Sequence, residues 1–100
     1  MASEVEMCKE FNYSITRRLN KGSYVVKQAS MSKLLSTKMA DQVIYDALQL
    51  LGGYGYMEEY PMARLLRDSR LGPIGGGTSE ILKEIIAKMV IDKKAYNPVV

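Results

Sequence analysis

The sequence predicts an all-α fold, an up-and-down bundle of helices. Apolar residues recur at three- and four-residue steps through most of the chain. Glycine, proline and cap-forming residues punctuate these runs where helices should start and stop. No run combines period-two alternation with β-branched composition, so no strand is expected.

Ser3-Glu4-Val5-Glu6 has the serine-to-glutamate spacing of a capping box and opens a first helix near Ser3–Asn20. Cys8, Phe11, Ile15 and Leu19 form its apolar face. Arg17, Arg18 and Lys21 fall at its C-terminal end, where the helix dipole favours cations, and Gly22 terminates it. Ser23 then caps a long second helix to Leu51, about 43 Å if unbroken at ~1.5 Å per residue. Its stripe contains Met31, Leu35, Met39, Val43, Ala47 and Leu51, and Gly52-Gly53 stops it. Tyr54 to Tyr60 reads as turns. Pro61 suits the first position of a short helix near Pro61–Arg70, with Glu58 and Glu59 ahead of it to complement the dipole. Gly72-Pro73-Ile74-Gly75-Gly76-Gly77 cannot hold regular structure. Thr78 caps a last helix near Thr78–Asp92, with Ile81, Leu82, Ile85, Ile86 and Met89 as its stripe. Residues 1–93 thus read as one helical domain, and 94–100 as a flexible tail.

Composition narrows the function classes. Hydrophobic residues at 47% and charged residues at 25% are a globular balance, not a disordered one. Cys8 is the single cysteine, so no intrachain disulfide can staple the fold. No apolar stretch is long enough to span a bilayer. Met1-Ala2-Ser3-Glu4 lacks the basic-then-apolar pattern of a secretory signal. Histidine is absent, which removes the usual nucleophilic triads and the commonest metal ligand. Asp41 and Asp46 do not share a helical face well, so no metal site is expected. A formal charge of +3 does not call for nucleic acid. Between Val43 and Leu51, apolar side chains cover most of the helix circumference, a pattern that needs neighbours on several sides.

The two glycine clusters carry the functional signal. Gly75-Gly76-Gly77-Thr78 runs straight into a helix, where converging backbone N–H groups and the helix dipole can cradle a phosphate. The same residues also fit a plain flexible connection with a threonine cap, and pattern alone favours that reading. Neither a Walker loop nor a Rossmann fingerprint matches. Gln49 with Gly52-Gly53-Tyr54-Gly55-Tyr56 ends a helix in exposed backbone that a ligand can approach, or simply stops the helix. Arg67-Asp68-Ser69-Arg70 reads as local ion pairs that anchor a loop, and Tyr54, Tyr56 and Tyr60 as interface packing.

Taken in order, Gln49-Leu50-Leu51-Gly52-Gly53-Tyr54-Gly55-Tyr56, Glu59-Tyr60-Pro61, Arg67-Asp68-Ser69-Arg70 and Gly77-Thr78-Ser79-Glu80-Ile81 resemble the C-terminal signature of the acyl-CoA dehydrogenase family, nearest in type to its long-chain branch. The motifs run from about Gln49 to Ile91, with weaker helical similarity to the start of the chain. The resemblance implies a C-terminal helical domain short of its first helix, from an enzyme that also has an N-terminal helical domain and a β-domain around FAD. It implies α,β-dehydrogenation of an acyl-CoA thioester, with an electron-transferring flavoprotein as oxidant and the C-terminal domain as oligomer interface. Gln49, Gly52 and Gly53 match positions that contact FAD across a subunit boundary; Thr78 and Glu80 match positions that hold FAD near the last helix. Gly76 stands where many members carry the glutamate base, so no catalytic residue is assigned here. In the long-chain and isovaleryl-type branches the base comes from an earlier helix, which is the favoured explanation; a non-dehydrogenating parent is the competing one. The backbone N–H at position 76 matches one that polarises the thioester carbonyl, a role that needs no side chain. The chain alone is therefore expected to be inactive, to retain no FAD and to self-associate. A stand-alone helical interaction module is the competing reading. The expected compartment is the cytoplasm of a bacterium or the mitochondrial matrix of a eukaryote.

Overall fold

The computed structural model describes residues 1–96 and consists of five helices: α1 (Ala2–Asn20), α2 (Val26–Leu51), α3 (Gly53–Tyr56), α4 (Pro61–Ser69) and α5 (Ser79–Val90). No strand occurs among the described residues. The all-α, up-and-down arrangement expected from periodicity is the one observed.

Two expected caps are not formed. α1 starts at Ala2, so Ser3 lies inside the helix and the capping box is absent; the terminal ammonium instead sits 3.6 Å from Glu4. Ser23 does not cap α2. Gly22 takes φ 80 and donates to the Leu19 carbonyl at 2.9 Å, and the Ser23 N–H reaches the Arg18 carbonyl at 3.1 Å. These paired bonds close α1 with a Schellman motif, so Ser23 belongs to the end of one helix and α2 begins three residues later. Its N-cap is the buried Val25, which contributes packing instead of a side-chain hydrogen bond.

α2 is the spine and packs against each of the other four helices, whereas α1 contacts neither α4 nor α5. α1 lies antiparallel along α2, with Asn12 meeting the Ser32 hydroxyl. Beyond α3 the chain retraces α2 from its C-terminus. Gly55 abuts Leu48, Ser69 and Arg70 meet Asp41, Gly72 packs on Thr37, and Lys33 meets the Gly75 and Gly77 carbonyls. Beyond α5, Lys93 turns left-handed at φ 53 and the Tyr24 hydroxyl donates to the Tyr96 carbonyl. The remainder of the expected tail, 97–100, lies outside the described residues.

The core is thin. Only Ile15, Val25, Ala63 and Leu82 are buried apolar residues among those described. The radius of gyration is 16.2 Å, against about 13 Å for a compact domain of this length. Leu50 is 76% exposed and Tyr45 61%, on the segment whose sequence wants cover on several sides.

Gly55 shows where the backbone cannot tolerate a side chain. A Cβ there would stand 2.6 Å from the Leu48 carbonyl oxygen and 3.1 Å from the Leu51 side chain. Gly53, two residues earlier, would meet nothing within 4 Å. Gly55→Ala is expected to destabilise the domain by about 1–3 kcal/mol, as overpacking does. Gly53→Ala should stay within about 0.5 kcal/mol of the parent, as for an unconstrained surface position. Urea denaturation of both variants measures this, and equal midpoints would show that the α3 turn does not press on α2.

Candidate functional site

The predicted site residues fall into two separate groups along α2. Gln49 lies on its exposed last turn, and Gly52 closes the helix with φ 60 and ψ −134, a conformation essentially restricted to glycine. The Gly52 N–H donates to the Gln49 carbonyl at 3.1 Å. Gly53 has neither a positive φ nor a neighbour that a Cβ would strike, so the fold itself does not demand glycine there. Tyr54 and Tyr60 meet edge to face, with centroids 5.2 Å apart.

The second group surrounds the start of α5. Thr78 is its N-cap, with Oγ1 accepting from the Ile81 N–H at 3.3 Å, as its position before the apolar stripe predicts. Glu80 lies exposed in the first turn. Gly76 and Gly77 take φ 66 and φ 102. The Lys33 ammonium, from the third turn of α2, donates to the carbonyls of both Gly75 and Gly77. The Gly76 and Thr78 N–H groups find no acceptor among the described residues. Lys33 has a faint sequence signal. Lys33 and Thr37, four residues apart on α2, face the returning chain beside the apolar stripe.

Lys33 and Gln49 are sixteen residues apart on one helix, about 24 Å along its axis. The two groups therefore do not form one pocket. Between them lies an open groove of about 870 Å³ lined by α2, α4 and α5, including Leu34, Lys38, Tyr45, Leu66, Arg70 and Lys83. Nothing among the described residues brings three His, Cys, Asp or Glu side chains together.

The Arg67-to-Arg70 cluster forms the local ion pairs expected of it. Arg67 makes a bidentate pair with Glu58 at 2.7 and 3.1 Å, and Arg64 reaches Asp68 at 3.4 Å. Ser69 Oγ lies 3.3 Å from Asp41, and Arg70 lies 4.0 Å from it. Glu58 was expected to complement the dipole of α4, but its carboxylate is held by Arg67 at the other end of that helix, fastening the 57–60 turn across it. Hydrogen bonding from Arg67, then its charge, holds the Glu58 carboxyl below its ordinary value.

Fold and loops together define an all-α module with a glycine turn at the C-terminal end of its central helix and a clamped glycine loop near the other. The chain belongs to the acyl-CoA dehydrogenase family: the family's model, described as acyl-CoA dehydrogenase, C-terminal domain, matches residues 1–91. It is 46% identical over 76 residues to the mitochondrial long-chain specific acyl-CoA dehydrogenase of Mus musculus, covering 76% of this chain and 16% of that protein. It is 40% identical over 91 residues to the acyl-CoA dehydrogenase of Bacillus subtilis, covering 91% of this chain and 24% of the relative. The crystal structure of acyl-CoA dehydrogenase from Geobacillus kaustophilus superposes with a TM-score of 0.89 at 41% identity, over 91% of this chain and 24% of that one. The chain thus spans between one-sixth and one-quarter of the length of these relatives.

Two predictions follow from the site's geometry. Because the Glu58 carboxyl is lowered in the folded state, the stabilisation it gives is present above the ordinary glutamate value and fades as pH falls through the lowered one. A carboxyl-carbon NMR titration should place its midpoint below that in the Arg67→Met variant, and coincident midpoints would rule the pair out. Gly76→Glu has room, since a Cβ would meet nothing within 4 Å, but its φ of 66 is strained for an L-residue. The expected loss is about 1–2 kcal/mol, read from the thermal midpoint; an unchanged midpoint would mean the loop is not held left-handed.

Proposed function

We propose that this chain is the FAD-contacting and oligomerising C-terminal domain of a flavin-dependent dehydrogenase acting on an acyl-CoA thioester. The observation that carries this reading is that both glycine-rich motifs leave open backbone at the surface, one in the helical turn after α2 and one in the loop before α5. Gly53 is open and conformationally unconstrained, and Gly76 faces open space. A glycine kept where a side chain would meet nothing leaves backbone accessible to something outside the chain.

The residues fit FAD as a partial site. Gln49, Gly52 and Gly53 offer an amide and exposed backbone at one end of α2, and Thr78 and Glu80 stand at the start of α5 at the other. Their placement toward opposite ends of α2 suits contacts with different parts of an extended dinucleotide, or with cofactors of two protomers, and leaves the chain unable to enclose one cofactor. Bound FAD supplies hydride acceptance. This chain's part is to orient cofactor and thioester, with the Gly76 N–H beside the thioester carbonyl. No residue of Gly75–Gly77 can accept a proton, so the base belongs to an earlier helix of the full enzyme, and the chain alone is inactive. An electron-transferring flavoprotein as oxidant and a bacterial cytoplasmic or mitochondrial matrix location complete the proposal.

Self-association follows from the thin core. Tyr45, Leu50, Leu51, Ile81 and Ile91 are exposed along α2, α5 and the residue after it, and apolar surface of this extent seeks cover, most simply in a symmetric assembly. The same surfaces also suit a stand-alone interaction module. An upstream reading frame encoding a β-domain separates the two readings.

Flavin content and sedimentation test the proposal on the purified chain. The expected result is a colourless protein, retaining less than about one-tenth of an equivalent of FAD because one wall of the site cannot hold the cofactor, that sediments as a dimer or tetramer. Stoichiometric flavin would overturn the partial-site reading. A monomer at high micromolar concentration would overturn the oligomerising role.

A further inference from the structure

We infer that Lys33 is a positioning residue for the Gly75–Thr78 loop: its ammonium draws the loop's carbonyls inward and so turns the Gly76 and Thr78 N–H groups outward, the former as a donor for a thioester carbonyl oxygen. The inference rests on the thioester-site reading above and adds the side chain that sets the donors' direction.

The loop's own sequence cannot set that direction. Three successive glycines reach both signs of φ at little cost, so Gly75-Gly76-Gly77 would sample many orientations if left to itself. In the folded chain the Gly75 and Gly77 carbonyls both turn to the Lys33 Nζ. No cis peptide is present, and in a planar trans unit the N–H points opposite to the C=O. The Gly75–Gly76 and Gly77–Thr78 units therefore send the Gly76 and Thr78 N–H groups away from α2. Both lack an acceptor among the described residues. The ends of the loop are fixed independently: the Ser79 N–H donates to the Pro73 carbonyl at 3.0 Å, and the Gly75 N–H to the Leu71 carbonyl at 2.8 Å. What remains adjustable between these ends is the rotation of three peptide units, and Lys33 holds the first and the last of them.

Lysine chemistry suits the task. A compact ammonium carries three donors on one tetrahedral nitrogen, which two converging carbonyls can share. A cation bonded to the oxygen side of a peptide also polarises its N–H, strengthening the outward donor. Lys33 itself is partly buried on the central helix, so the ammonium is delivered from a rigid element rather than from another loop.

The test uses the flavin-loaded dehydrogenase polypeptide that carries this domain and a saturated acyl-CoA with ¹³C at the thioester carbonyl, read by isotope-edited infrared spectroscopy. In the wild type the bound carbonyl band should move to lower frequency. In Lys33→Met the shift should be lost and kcat should fall about 10²-fold, the size of effect seen when an oxyanion donor is removed. KM should change by less than about threefold if the donors act on the transition state, with flavin content and melting temperature held. Lys33→Arg, which keeps the charge and several donors, should recover most of the shift. An unshifted wild-type band overturns the thioester reading of the loop, and the inference with it. A shifted wild-type band that Lys33→Met preserves, together with kcat, overturns the role of Lys33 and leaves the loop reading standing. If Lys33→Met does not fold, hydrogen-bond couplings from Lys33 Nζ to the Gly75 and Gly77 carbonyl carbons, measured by NMR on the wild-type chain, decide; their absence overturns the inference.

Discussion

Most of the tertiary packing in this domain is against α2, and the other helix pair in contact is α3 with α4. One helix of 26 residues meets all the others, and the chain beyond it folds back along its length in reverse order. Leu48 receives Gly55, Asp41 receives Ser69, Thr37 receives Gly72 and Lys33 receives the last glycine loop. The register of α2 therefore sets the location of each loop. Lys33 anchors the returning backbone by hydrogen bonds and Thr37 by close contact with Gly72. Ser30 and Ser32 are buried small residues; Ser30 bonds back to the Val26 carbonyl of its own helix and Ser32 meets Asn12 of α1.

The glycines divide by physical cause, and the division separates architecture from site. Gly22 and Gly52 are needed for helix endings at positive φ, and Gly55 for a backbone-to-backbone approach that a methyl group would block. Gly53 answers to none of these. Gly76 needs its positive φ yet faces open space, and Gly77 continues the same left-handed path. A residue type that serves three different ends within one small domain cannot be interpreted from its presence alone; the local dihedral and the nearest atom decide.

Much of the helical layout was legible in the sequence because periodicity and strong punctuation agree there. Pro61 at the start of α4 and Thr78 ahead of α5 act where their chemistry says they should. The misread caps share one cause. Ser3 and Ser23 are good cap residues, but α1 begins ahead of Ser3, and Ser23 lies in the Schellman ending of α1. Side-chain preference was outweighed by backbone hydrogen bonds that only the three-dimensional turn makes visible. At the candidate site the Gly75–Gly77 loop was legible, whereas Gly53–Tyr56, which reads as a helix stop and turn, forms the short helix α3, and Lys33 did not stand out. Its importance comes from a contact across 42 residues of sequence, and a lysine on a helix ordinarily reads as a solvated charge.

The retracing path also fixes an order in time. The contacts of α2 with the second half grow longer in sequence toward its N-terminus, from the neighbouring Gly55 to the bonds of Lys33 with Gly75 and Gly77, which span 42 and 44 residues. During synthesis at about 5–20 residues per second, Lys33 waits on the order of 2–9 s for its partners to be made, whereas the last turn of α2 is met almost at once. The end of the spine made first is covered last. Of the helices in this chain, α1 alone can cover the N-terminal half of α2 during that interval.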